Sequence, residues 1–112
     1  MTEIWAHRGA SGYAPENTLE AFVLAAEMGV DGVELDVQMS RDGYLVVAHD
    51  ERIDRVSNGS GFLRDFTLEE LKGFLFNKTH PEYKDARIPA LREVYELLKD
   101  TPLKINVELK NG

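Results

Sequence analysis

The residues able to do chemistry in this 112-residue chain gather in four short stretches: His7-Arg8-Gly9, Glu34-Leu35-Asp36, His49-Asp50 and Glu108-Leu109-Lys110. Histidine titrates near neutrality and can take or give a proton during a reaction. There is no cysteine, so disulfides, thiolate nucleophiles and Cys-type zinc sites are excluded, and any metal must rest on oxygen or imidazole. Carboxylate oxygens suit hard cations such as Mg²⁺ or Ca²⁺, and arginine offers a bidentate clamp for an anion. Taken singly, each residue has a plainer reading. Glu34 and Asp36 fit a solvated strand face, His7 and His49 fit hydrogen-bonded structural histidines, and Arg8 and Lys110 fit ion-pair partners of the acidic residues. Glu16 and Asn17 read as structural, the first shaping a loop and the second capping a helix, and His80 reads as an exposed loop residue.

The elements around these stretches give them a common address. An apolar run over residues 4–8 reads as a buried strand that ends in His7-Arg8 and a glycine-rich loop. Asn17, with Glu20 three residues on, opens a helix whose Leu19, Phe22, Val23 and Ala26 recur at helical spacing until Gly29. Residues 32–39 alternate, with Val33, Leu35, Val37 and Met39 on one face and Glu34, Asp36 and Gln38 on the other. Strand, helix and strand within about thirty-five residues make a βαβ unit, hence a parallel sheet with a right-handed crossover. The short link Arg41-Asp42-Gly43 then permits only an antiparallel neighbour, Tyr44 to Ala48. If Asp42-Gly43 is a two-residue turn, His49 falls opposite Asp36; a longer loop shifts that register.

Residues 51–88 form an excursion, in which Thr67 and Glu70 make a capping box for a short helix reaching about Phe74. An amphipathic helix follows Pro89, with Leu91, Val94, Tyr95 and Leu98 on its apolar face and its end near Asp100. A last strand, 103–110, carries Glu108 and Lys110 on one face. The carboxyl ends of the strands therefore hold the reactive residues, the edge at which parallel α/β folds place their sites.

Composition narrows the function classes. Hydrophobic residues make up 43% of the chain and charged residues 29%, as expected for one folded domain. The formal charge of -7 gives no footprint for nucleic acid or an anionic membrane, although a divalent cation can invert the field locally for an anionic small substrate. No signal peptide and no transmembrane window are visible, so a cytoplasmic protein without stable membrane insertion is expected.

In order and spacing, His7-Arg8-Gly9, Pro15-Glu16-Asn17-Thr18, Glu34-Leu35-Asp36-Val37, Val46-Val47-Ala48-His49-Asp50 and Glu108-Leu109-Lys110 resemble the glycerophosphodiester phosphodiesterase family. Each piece alone is common; five in register are specific. The resemblance implies a TIM barrel that uses Mg²⁺ or Ca²⁺ to hydrolyse glycerophosphodiesters to glycerol 3-phosphate and an alcohol, an activity of glycerol and lipid metabolism. It implies that Glu34, Asp36 and Glu108 hold the metal, that His7 and His49 are the acid and base, and that Arg8 and Lys110 contact the phosphate. It also makes residues 51–88 the family's insertion over the site.

A TIM barrel needs eight strands and about 250 residues, whereas residues 1–112 supply three barrel strands and one hairpin strand. The fold expected is therefore α/β, a partial TIM barrel with a β-hairpin and a small insertion, completed by oligomerisation or missing its C-terminal half. An open sheet edge favours pairing with another copy, so a homo-oligomer is expected. Two other readings stand beside the enzyme: a barrel fragment without catalysis that acts as an oligomerising module, and a phospholipase-type phosphodiesterase with another substrate.

Overall fold

Strand β2 (Gly32–Met39) is the axis of the sheet and follows from its sequence alternation. In the computed structural model, which describes residues 3–110, its Val33, Leu35 and Val37 are buried under helices, while Asp36 and Gln38 are buried on the opposite, polar face. Met1, Thr2, Asn111 and Gly112, included in the expected 1–112 unit, lie outside the described residues.

Three strands share β2. Strand β1 (Trp5–His7) runs parallel to its first half, with His7 in register with Glu34. Strand β3 (Leu45–Val47) runs antiparallel to its second half. Strand β4 (Lys104–Leu109) is parallel along its other edge and pairs Asp36 with Glu108. β1 and β3 thus occupy one edge of β2 in succession and approach each other head to head. The Arg8 amide donates to the Glu34 carbonyl at 2.7 Å and the Ala48 amide to the Asp36 carbonyl at 2.9 Å.

That last bond corrects the expected hairpin register. Val37 pairs with Val47 and Met39 with Leu45, so Asp36 faces Ala48 and not His49. The cause lies in the loop. Arg41, Asp42 and Gly43 form a three-residue connection closed by Ser40 N to Tyr44 O at 2.8 Å, with Gly43 left-handed at φ 88°, the arrangement in which a turn is followed by a left-handed bulge residue. One extra loop residue moves the pairing by one.

Helix α1 (Leu19–Glu27) is capped by Thr18, whose hydroxyl accepts from the Ala21 amide at 3.3 Å. Asn17, the expected cap, is instead left-handed at φ 56° with its amide turned toward Asp36. The buried face of α1 is Ala21, Phe22 and Ala25; Val23, assigned to that face from its spacing, is 39% exposed. Helix α3 (Leu91–Leu98) buries Val94 and Leu98 against the same core, and Glu93 accepts from the Ala90 amide at 2.8 Å. α1 and α3 cover one face of the sheet, completing the βαβ layer.

The excursion builds a second core on the polar face. Ile53, Leu63, Leu71, Phe76 and Ile88 pack on Val46 and Ala48. Helix α2 (Leu68–Lys72) within it has the expected Thr67–Glu70 capping box, but Gly73 ends it sooner than Phe74. Both ends of the excursion are held near β3: Gln38 Nε2 donates to the carbonyls of Ala48 at 3.0 Å and Asp50 at 2.6 Å, and the Val47 amide donates to Pro89 O at 2.9 Å. Among the described residues no helix is long and apolar enough to cross a membrane.

Candidate active site

Register alone brings several polar side chains to one face. His7, Glu34 and Asn106 occupy matched positions on three adjacent strands, and Asp36 and Glu108 are matched one step further along. Paired strands lie about 4.8 Å apart, so these side chains crowd a narrow strip that crosses β2 and β4 beside the carboxyl end of β1. Sequence reasoning identified His7, Glu34, Asp36 and Glu108 on this strip and missed Asn106, whose signal was its even spacing from Glu108.

Asp36 is the centre of the strip, with only 4% of its surface exposed. Arg8 Nε lies 3.7 Å from its Oδ2 and Lys110 Nζ 3.8 Å from its Oδ1, while Asn17 Nδ2 donates to Oδ2 at 3.4 Å. A buried carboxylate is tolerated when it is so surrounded. Lys110 Nζ is also 3.2 Å from Glu108 and so stands between two of the three expected metal ligands. Both left-handed non-glycine residues of the described chain, Arg8 at φ 57° and Asn17 at φ 56°, are Asp36 partners. Backbone strain of this kind persists where the surroundings fix it, and it clusters at sites.

His49 reaches the site by another route than the one expected. β3 ends at Val47, and the chain bends through His49, Asp50 and Glu51. His49 Nδ1 lies 2.8 Å from Asp50 Oδ1. Arg55, beside Asp50, holds that carboxyl down to about 2, with His49 adding to the effect; Asp50 is then ionised at neutral pH and can only accept, so Nδ1 carries the proton. Arg55 in turn grips Glu16 through two bonds of 2.9 Å, and Glu16 accepts from Arg8 at 3.3 Å. A continuous polar chain thus runs from His49 through Asp50, Arg55, Glu16 and Arg8 to Asp36. Only a narrow crevice of about 10 Å³ lies beside Glu16, Asn17, His49 and Asp50, and Ile53, Val56, Phe76 and Ile88 line the rest of it.

Asp50 followed directly from His49 in the sequence, and Gln38 continued the alternation of Glu34 and Asp36. Arg55 had no such signal, because its partner Glu16 is 39 residues away.

The donor set can be tested against a divalent cation. Among the described residues no three His, Asp or Glu side chains close together as a ligand group. Their chemistry nevertheless fits: Glu34, Asp36 and Glu108 offer only oxygen, and the buried Asn17 Oδ1 beside Asp36 has no hydrogen-bond partner. Five carboxylates (Glu16, Glu34, Asp36, Asp50, Glu108) against three basic side chains (Arg8, Arg55, Lys110) leave an acidic excess equal to the charge of one such ion.

Parallel strands with their polar residues at the carboxyl edge, an α1–α3 layer behind them and an unclosed sheet define a partial TIM barrel. The chain belongs to the glycerophosphoryl diester phosphodiesterase family, whose model matches residues 7–112. It is 50% identical over 115 residues to a glycerophosphodiester phosphodiesterase of Caldanaerobacter subterraneus, covering 99% of this chain and 46% of that protein. A Bacillus altitudinis glycerophosphodiester phosphodiesterase is 48% identical, with 100% and 46% covered. Among solved structures, an Oleispira antarctica phosphodiesterase in complex with the product sn-glycerol-3-phosphate superposes with a TM-score of 0.93 at 39% identity, over 98% of this chain and 45% of that one. The chain spans about half the length of the relatives it matches.

Proposed function

We propose that this chain carries the acid–base and anion-binding half of a metal-dependent phosphodiesterase acting on glycerophosphodiesters, with glycerol 3-phosphate and an alcohol as products. The observation that supports this most is the head-to-head approach of β1 and β3 on successive carbonyls of β2. It draws the two histidine arms toward one carboxylate that already binds two cationic side chains.

In this reading Arg8 and Lys110 are the anion clamp, held in place by Asp36 when no substrate is present. Phosphodiesters are anionic and repel nucleophiles, so neutralising the phosphoryl oxygens is the first requirement. His7 and His49 divide the proton transfers: one takes the proton of the attacking oxygen, and the other gives a proton to the alkoxide as the P–O bond breaks, each step contributing about 10²-fold or more. With Nδ1 turned to Asp50, His49 offers Nε2 to the reaction. Glu34, Asp36 and Glu108 would hold Mg²⁺ or Ca²⁺, and the bound ion supplies further charge neutralisation at phosphorus.

The test is release of glycerol 3-phosphate from glycerophosphocholine, measured with Mg²⁺ or Ca²⁺ and again with EDTA. Turnover that EDTA abolishes supports the proposal. Metal binding without turnover favours a non-catalytic module. In a metal titration, Glu34→Ala should abolish binding and His49→Ala should retain it; equal loss in both contradicts the assigned roles.

A further inference from the structure

Arg55 lies in the excursion, outside the motifs that mark the site, yet its guanidinium bridges two motif carboxylates, Glu16 and Asp50. Its Nε donates to Asp50 Oδ2 at 2.8 Å and its Nη2 to Asp50 Oδ1 at 3.2 Å. Its Nη1 and Nη2 each donate to one Glu16 oxygen at 2.9 Å. The guanidinium therefore spans two carboxylates in two paired contacts, a geometry that its planar fork provides and an ammonium group does not. Glu16 is largely buried, with 12% of its side chain exposed, and Asp50 is at 27%. Arg55 itself is 46% exposed, so what sets these contacts apart from most surface pairs is their paired geometry on two less exposed carboxylates.

Each carboxylate stands behind a residue assigned a role in the reaction. Asp50 Oδ1 is the hydrogen-bond partner of His49 Nδ1, and Glu16 accepts from Arg8. We propose that Arg55 is a positioning residue: by fixing Asp50 it selects the His49 tautomer with the proton on Nδ1, and by fixing Glu16 it aims the Arg8 guanidinium at the anion site. The excursion then contributes an active part of the site geometry as well as a cover. The inference rests on the reading of His49 and Arg8 given above, but the part concerning the tautomer does not require turnover.

Asp50 has two oxygens, and Arg55 touches both. Without the guanidinium, the carboxylate is free to rotate and to hydrate, and the His49 imidazole loses the fixed acceptor that holds its proton on Nδ1. Neutral imidazole then populates both tautomers, and Nε2 is no longer reserved as the acceptor facing the site. Lysine at position 55 restores the charge but cannot bridge Asp50 and Glu16 in pairs.

The experiment uses the full chain in EDTA, above neutral pH, with long-range ¹H–¹⁵N spectra reporting the His49 tautomer. The wild type should show the proton on Nδ1. Arg55→Gln and Asp50→Asn should both give a mixture of tautomers, and Arg55→Lys should be intermediate. Amide spectra of α3, remote from Arg55, establish that each variant is folded; if Arg55→Gln is not, Arg55→Lys against wild type decides. An unchanged Nδ1 tautomer in a folded Arg55 variant overturns the inference. Absence of turnover in the wild type bears on the proposed function alone and leaves this result standing.

Discussion

Gly9 is the residue on which the His7-Arg8 loop depends most, and Gly9→Ala should be correspondingly costly. It is left-handed at φ 76°, and a Cβ there would lie 2.8 Å from Ala21 Cβ, 3.0 Å from Ala21 C and 3.1 Å from Ala21 O. Holding alanine in that conformation costs about 1–2 kcal/mol. Forcing a methyl group against the backbone of α1 costs about 1–3 kcal/mol more, as overpacking does. The sum, about 2–5 kcal/mol, is a large share of the roughly 5–15 kcal/mol typical of a domain, and corresponds to a melting point lower by about 8–20 °C. Gly29 is an internal control, since its φ is 74° but a Cβ there meets nothing within 4 Å; Gly29→Ala should carry the conformational cost alone. Urea denaturation of both variants, with slopes compared to confirm that midpoints report stability, separates the two contributions. Equal losses in the two variants would refute the reasoning, because the close approach of the loop to α1 would then be of no energetic consequence.

Arg8→Gly should be more stable than Arg8→Ala by about 1 kcal/mol, because both lose the guanidinium and only glycine relaxes φ 57°; a urea comparison with alanine equal or better contradicts the strain argument. Asp50 is depressed from its ordinary 3.8 to about 2 by Arg55, so its stabilisation is present above about pH 4 and is lost as pH falls through about 2. After discounting for solvent screening it amounts to about 1 kcal/mol, and Asp50→Asn should flatten acid unfolding in that window; identical acid profiles would dismiss the Arg55 contact as unimportant in solution. Leu109 is 72% exposed, Met39 51% and Leu45 37%, and among the described residues β4 pairs only with β2, so sedimentation of this chain should show concentration-dependent self-association. A monomer throughout the micromolar range would refute that expectation.

The elements were legible in the sequence wherever one periodicity dominated. β2 was readable to the residue because its alternation is unbroken, and the α3 face was readable at Val94 and Leu98 but not at Tyr95, which was assigned to it and is 46% exposed. The register of β3 was not, since Asp-Gly serves both two-residue and three-residue hairpin loops and only the backbone angles of Gly43 distinguish them. Asn17 and Thr18 are both good caps; the structure gives the cap to Thr18 because asparagine tolerates the left-handed region and its amide finds Asp36. The site was legible where a motif lay on one strand or at its end, as with Glu34 and Asp36. It was illegible where a contact joins distant segments, as with Arg55 and Glu16, because no local pattern encodes a bond across 39 residues.

The excursion leaves β3 after Ala48 and returns at Pro89 and Ala90, which bond to Val47 and bridge to Val46, and its apolar cluster is completed by Val46 and Ala48. A segment with adjacent ends and an apolar cluster separate from the α1–α3 core can melt and reform as a cooperative unit while β1, β2 and β4 stay paired. Each such excursion carries Arg55 away from Asp50 and Glu16 together. The opening equilibrium of this subdomain, readable as hydrogen exchange at Leu71 and Phe76, would then equal the fraction of molecules in which His49 is unlocked, so that local closure and readiness for proton transfer are one thermodynamic quantity.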